Sequence, residues 1–285
     1  MIDGRGDAAA PRIALFGHPL GHSRSRELFD ALAEAGGPRV DYQPVPVPPL
    51  GLADAVGGLR DGAWHGANVT IPHKIAVTEL VDRLDPAAAQ AGAANVLYRD
   101  AAGALAGANT DGIGFTEGLA DVGPRTFAAA ALAGRWAVVL GGGGAARGVC
   151  QALREIGARM TLVTRDPDRR RGWQPGLVDE LIPWSDRARL RKVVRGAWLV
   201  VQATPVGTAP AEGECPDLPY EALGPDHVAV DLIYNPWRTR FLERSAASGA
   251  RTLNGCHILA PPAASALTLS LAPHAAQRLV AAAGR

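Results

Sequence analysis

Residues Trp136–Arg147 read W-A-V-V-L-G-G-G-G-A-A-R, and the architecture follows from this stretch. Five apolar or small residues run into four consecutive glycines, and a small-residue segment of helical character follows. A strand buried in a parallel sheet shows a near-continuous apolar run rather than alternation. Glycines at its end permit a tight turn and let a diphosphate approach bare backbone. The N–H groups opening the next helix then present the positive end of its dipole. Gly141, Gly143 and Gly144 fit such a turn, although the last glycine falls early against G-x-G-x-x-G, where Ala146 stands. Glycine makes up 34 of 285 residues, so an ordinary glycine-rich loop is the competing reading. With a strand before and a helix after, the strand–turn–helix criterion favours a nucleotide site.

Composition bounds the rest. A chain of 285 residues has room for two cores. It is 47% hydrophobic and 20% charged, and 29 basic against 28 acidic residues leave a net charge of +1. That balance provides no electrostatic footprint for nucleic acid or an anionic membrane. No apolar run approaches the ~20 residues of a membrane helix, and M-I-D-G-R-G-D-A-A-A lacks the apolar core of a signal peptide. Cys150, Cys215 and Cys256 are far apart without C-x-x-C spacing, which argues against disulfides or a zinc site and fits a reducing compartment. The expectation is a cytoplasmic α/β protein with no metal, no nucleic-acid partner and no membrane partner, a monomer or homodimer.

Arg12–Phe16 reads as a first strand, ended by Gly17-His18-Pro19. In G-H-S-R-S-R, Ser23 or Ser25 would serve as a helix N-cap, or the hydroxyls and arginines would hold a carboxylate; both readings stand. Val40–Val47, rich in proline, reads as an edge strand leading into a helix around Leu50–Arg60. A strand ending in Asn-Val-Thr, broken at Ile71-Pro72, releases Lys74 at the start of a helix that Asp82–Asp85 closes. Taken alone, Lys74 reads as a solvated lysine. Gly92–Tyr98 reads as a strand with Asn95 inside an apolar run, where a polar side chain needs a partner or a ligand. Asn109, Thr110 and Asp111 sit in a glycine-flanked turn before a helix from Phe115, and Asp111 alone reads as a cap or turn residue. Residues 121–134 read as a hinge into the glycine unit.

Beyond the helix Ala145–Ile156, the strand Met160–Val163 ends in Thr164-Arg165-Asp166. An acidic residue there suits the ribose of NAD, and arginine suits a 2′-phosphate. Arg165, with Arg169, Arg170 and Arg171 nearby, favours NADP; Asp166 keeps NAD open, and a solvated charge cluster is the plain alternative. Trp198–Ala203 runs into Thr204-Pro205-Val206-Gly207, and Val228–Ile233 into Tyr234-Asn235-Pro236, strands whose carboxyl ends would line a crevice. Ala209–Pro219 reads as a surface loop, Phe241–Gly249 as a helix, and Ala263–Ala283 as a final apolar helix.

The stretches S-R-S, N-V-T-I-P-H-K, G-A-A-N, N-T-D-G, G-G-G-G-A-A-R, T-R-D, A-T-P-V-G, D-L-I-Y-N-P and N-G-C together resemble the shikimate dehydrogenase family in order and spacing, from about Ile13 to Ala266. The resemblance implies an α/β substrate domain with a mainly parallel sheet, from residues 1–114 and 260–285. It also implies a Rossmann-type, doubly wound NAD(P)-binding domain from residues 115–259. The implied reaction is reversible hydride transfer between NADP and the C3 carbon of shikimate or a related cyclic hydroxy acid. By the same resemblance Lys74 and Asp111 match the catalytic pair. Ser23 and Ser25 match the holders of the substrate carboxylate, and Asn68, Thr70 and Asn95 match positions that bind ring hydroxyls; Tyr234 joins this substrate set. The cofactor set is Gly141, Gly142, Gly143, Gly144, Ala145, Thr164, Arg165, Arg169, Thr204, Pro205 and Val206. Four departures stand out: Arg26 for the family's proline, Val96 for threonine, Thr208 for methionine and Pro262 for glutamine. They point to altered ring-substituent selectivity, with quinate, aminoshikimate or another keto acid as alternative substrates. A non-catalytic ligand sensor is the rival from another class.

Overall fold

A computed structural model describes residues 10–20, 25–34, 38–122, 132–166 and 173–255. Ser23, Arg169, Arg170, Arg171, Cys256, Pro262, the Ala263–Ala283 helix and most of the 121–134 hinge lie outside the described residues.

The first sheet contains β1 (Arg12–Gly17), β2 (Asp41–Pro46), β3 (Gly66–Val69), β4 (Arg83–Leu84), β5 (Val96–Arg99) and β6 (Leu105–Ala108), in the order β2-β1-β3-β5-β6-β4. β1 runs parallel to β2 and β3, β4 runs parallel to β6, and β5 is antiparallel to β3 and β6. Pro44 and Pro46 are tolerated because β2 is an edge. Side chains of β1 divide by parity. Ala14 and Phe16 pack with Leu52, Val56 and Leu59 of α2 (Leu52–Arg60). Ile13 and Leu15 face Tyr42 and Phe29 of α1 (Ser25–Glu34). Burying such aliphatic and aromatic side chains stabilises by about 1.5–3 kcal/mol each, which holds α1 and α2 to opposite faces.

The second sheet is all parallel: β7 (Trp136–Leu140), β8 (Arg159–Thr164), β9 (Glu180–Pro183), β10 (Leu199–Gln202), β11 (Val228–Asp231) and β12 (Arg251–Leu253). Its order, β12-β11-β10-β7-β8-β9, is the Rossmann order read from the far edge. The strand order therefore reverses direction between β7 and β10, and a crevice opens beyond their carboxyl ends. Helix α4 (Asp111–Val122) leaves the first sheet yet inserts Phe115 and Leu119 into the second core, against Val139, Val149 and Met160. It packs closely on α5 (Gly144–Glu155).

Several sequence expectations need correction. No helix runs from Lys74 to Asp85: a short 3-10 turn spans Ala76–Glu79, and Arg83–Leu84 is strand β4. Asp85 instead starts α3 (Pro86–Ala91), accepting a hydrogen bond from Ala88 N with proline in the first turn. Gly92 ends that helix in the left-handed conformation, so β5 begins only at Val96 and Asn95 precedes it. α4 begins at Asp111 rather than Phe115, because the Asn109 carboxamide oxygen accepts from Asp111 N at 3.0 Å and orders the first turn. The Ala209–Pro219 loop is not wholly superficial, since Pro216 and Leu218 are buried against the second core. β9, β12 and helix α6 (Arg187–Gly196) also complete the second unit, with α7 (Arg240–Ala247) corresponding to the expected Phe241 helix.

Candidate active site

The loop after β3 carries Lys74. Its course is pinned from both sides: Thr70 N donates to Phe16 O, His18 N to Ile71 O, and Ala94 N to the Lys74 carbonyl at 2.7 Å. The buried His73 ring sits 2.6 Å from Val47 O through Nε2, holding the loop against the end of β2. This leaves the lysine stem aimed at the first turn of α4. There Lys74 Nζ donates to Asp111 Oδ2 at 2.6 Å, with both side chains only 14% and 11% exposed. A pair so withdrawn from water is screened weakly by salt.

Asn95 completes the arrangement. Its Nδ2 donates to Asp111 Oδ1 and to Thr110 Oγ1, each at 3.0 Å, and its Oδ1 accepts from Thr110 N at 2.8 Å. Asp111 is thus held on both oxygens, by a charge on one and an amide on the other. Asn109 supports the same turn from below, donating to Ala93 O. The two protons of the Asn95 amide are committed to the turn, so this side chain orients the carboxylate.

On the α1 face, Asn68 lies between Leu15 and Val96 in register. Its Oδ1 is buried with no hydrogen-bond partner among the described residues, which suits a ligand hydroxyl. Thr70 packs its methyl against Gly17. Ser25 and Tyr234 both approach the buried Tyr42 hydroxyl. Burial pushes the Tyr42 phenol well above its ordinary range, Ser25 draws it back in part, and Tyr234 adds to the rise.

The second half of the site is the switch point between β7 and β10. Gly141 has φ +101°, and a Cβ there would lie 2.8 Å from Thr204 Cγ2 and 3.2 Å from the Ala203 carbonyl, so only glycine fits. Gly143 caps α5 with extended backbone and no side-chain hydrogen bond, and a Cβ there would meet nothing within 4 Å. A diphosphate therefore has open approach to the α5 N-terminus. Thr164 Oγ1 stands near Gly142, and Arg165 and Asp166 are exposed where β8 ends. Opposite, the buried Gln202 folds the Thr204–Val206 turn around its amide. It donates to Thr204 O and Val206 O and accepts from Thr204 N and Oγ1.

Two family models match the chain: the shikimate dehydrogenase substrate binding domain at residues 15–97 and a putative NAD(P)-binding domain at residues 128–210. The shikimate dehydrogenase (NADP(+)) of Moorella thermoacetica is 37% identical over 268 residues, covering 92% of this chain and 88% of that protein. The chain belongs to the shikimate dehydrogenase family. The crystal structure of shikimate 5-dehydrogenase from Thermus thermophilus, in complex with NADP(H) and shikimate, is 35% identical with a TM-score of 0.77, covering 92% of this chain and 93% of that one. The ligand-free 5-ketofructose reductase of a Gluconobacter species is 29% identical with a TM-score of 0.75, covering 92% and 93%.

Against that family pattern, one departure faces solvent. Arg26 points along the solvent face of α1 toward Asp30, both about two-thirds exposed. Val96 is fully buried beside Ala108 and Tyr98 and stands opposite Asn68 in register. Thr208 lies in the turn after Val206, where its N donates to Pro205 O. Residues not anticipated from sequence include Gln202, Tyr42, His73 and Asn109. Gln202 carried a legible signal of the kind that marked Asn95: an amide within an apolar run, L-V-V-Q-A.

Proposed function

We propose that this chain catalyses reversible hydride transfer between NADP(H) and the C3 hydroxyl or keto group of shikimate, or of a closely related cyclic hydroxy acid. The observation that carries the proposal is the shielded Lys74–Asp111 pair, 2.6 Å apart beside the dinucleotide turn. Gly141–Gly144 and Ala145 would hold the diphosphate, Thr164 and Arg165 the ribose end, and Thr204–Val206 the nicotinamide side. When bound, the nicotinamide accepts or supplies the hydride.

The protein's own part is the proton. As an alcohol carbon gives up hydride, its oxygen must lose a proton, and in the reverse direction the new alkoxide must gain one. Lys74 Nζ, steered by Asp111 Oδ2, is the group placed to exchange it, and Asn95 keeps the carboxylate from rotating away. In the reducing direction the ammonium also stabilises negative charge growing on the carbonyl oxygen. Asn68, Thr70, Ser25 and Tyr234 would bind the ring hydroxyls and the carboxylate.

Steady-state rates of NADP reduction with shikimate test this reading. Turnover with NADP preferred over NAD supports it, and no turnover with any ring acid rejects it. Pro262 in place of the family's glutamine favours a second substrate reading, with quinate or aminoshikimate oxidised by the same chemistry. Comparing kcat/KM across those acids separates the two, because a site built around a substrate hydroxyl strongly rejects analogues lacking it.

A further inference from the structure

The tightest neighbours of two α5 glycines are Lys74 and the Asn109–Asp111 turn rather than the cofactor turn. A Cβ on Gly144 would lie 2.4 Å from Lys74 Cβ, 3.1 Å from its Cδ and 3.3 Å from its Cγ. One turn on, a Cβ on Gly148 would lie 2.6 Å from Asn109 Oδ1 and 3.0 Å from Asp111 Cβ. From the other side, a Cβ on Gly112 would lie 2.5 Å from Gly148 O. Gly143, the glycine that a diphosphate would approach, is by contrast uncrowded. Alanine would favour the helix itself at an interior position such as 148.

We propose that Gly144 and Gly148 are positioning residues that set the Lys74–Asp111 geometry from the cofactor side. Gly144 seats the lysine stem, and Gly148 seats the Asn109–Asp111 turn. The 2.6 Å pair is thereby built across the seam between the two sheets: one wall is the loop after β3 and the turn after β6, the other the helix that receives the cofactor. A methyl at either position leaves the phosphate approach open but pushes one member of the pair off its partner.

The inference rests on the oxidoreductase reading, and the test separates the two. Wild type, Gly148→Ala, Gly144→Ala and Gly57→Ala are compared as full chains. Gly57 lies in α2 with open space around it and serves as the control. Wild-type turnover of shikimate with NADP reports on the reading alone. Gly148→Ala is expected to lower kcat by roughly tenfold to a hundredfold while the shikimate KM and NADP Kd stay within about threefold. Its primary isotope effect with shikimate deuterated at C3 rises as hydride transfer becomes limiting, which a loss of stability alone would not produce. Gly57→Ala leaves kcat unchanged. Should Gly148→Ala fail to fold, Gly144→Ala, whose methyl meets the Lys74 side chain from its Cβ outward, decides by the same readouts. An unchanged kcat, or an NADP Kd weakened as far as kcat falls, overturns the proposal. Crystal structures decide independently of activity: the Lys74–Asp111 hydrogen bond lost in the variants supports it, and the bond retained at its present length overturns it.

Discussion

Asp231 closes β11 with its side chain wholly buried. Burial pushes its carboxyl up to about 7 from 3.8, against the opposing pull of hydrogen bonds from Thr239 Oγ1 and Ile233 N. In the interval between those values the folded chain keeps a proton that the unfolded chain has released. Unfolding therefore releases a proton, and stability falls as pH rises. The contribution is intact below the unfolded value of 3.8, declines upward, and is fully lost above about 7. At about 1.4 kcal/mol per pH unit, the whole interval amounts to about 4 kcal/mol. Asp231→Asn removes the ionisation while keeping the shape. Its carbonyl oxygen can accept from Ile233 N, and its amide can donate to Thr239 Oγ1, which still caps α7 at Leu242 N. Urea midpoints of both proteins between about pH 5 and pH 8 measure the effect, and the difference between them cancels the titrations they share. Wild type should lose ground steadily against Asp231→Asn as pH rises. Parallel curves, or a wild type gaining on the variant, would show that Asp231 does not hold its proton in the folded chain.

Three further perturbations probe the site. Asn95→Ala strands the buried Thr110 N–H, at a cost of about 1–3 kcal/mol. It also frees one Asp111 oxygen, so kcat should fall at least as far as the shikimate affinity, read from melts and initial rates together. Gln202→Leu keeps the volume of the side chain but removes the core of the Thr204–Val206 turn. NADP Kd should rise roughly tenfold or more while the shikimate KM moves little, and the unpaired turn groups should lower stability by about 1–3 kcal/mol. Arg165→Ala should weaken NADP by roughly tenfold to a hundredfold through a lost charge-assisted bond and leave NAD unchanged, measured by fluorescence titration. An equal loss for both cofactors would reject a role at the 2′-phosphate.

The buried β-strands and the glycine turn were legible in sequence because each signal is local. An apolar run of five residues ending in glycines has few other solutions, and the repeated strand-and-helix units of the second half imply a parallel sheet. The Lys74–Asp111 contact was not legible from periodicity. The two residues are 37 apart in sequence and meet only through tertiary structure, so the family pattern alone pointed to the pair. β4 has two residues and β9 ends in proline, too little pattern to separate either from a loop. α3 and α6 carried local signals that went unread: Asp85-Pro86 is a cap followed by a first-turn proline, and Leu190, Val193 and Val194 follow Asp186 at helical spacing. The early Gly144 makes sense only with the fold in view, because its crowding comes from a lysine 70 residues away in sequence.

The proposed chemistry turns on Lys74, held by Asp111, moving the proton that accompanies hydride transfer. NADP-linked initial rates of wild type and Lys74→Ala with shikimate, alongside the NADP Kd of each, address that step itself. Wild type should turn over, and Lys74→Ala should lose roughly a hundredfold or more in kcat with NADP Kd preserved, as general acid–base catalysis contributes on that scale. Equal rates for the two proteins would remove Lys74 from the proton transfer, and no turnover of any ring acid by either would remove the reaction.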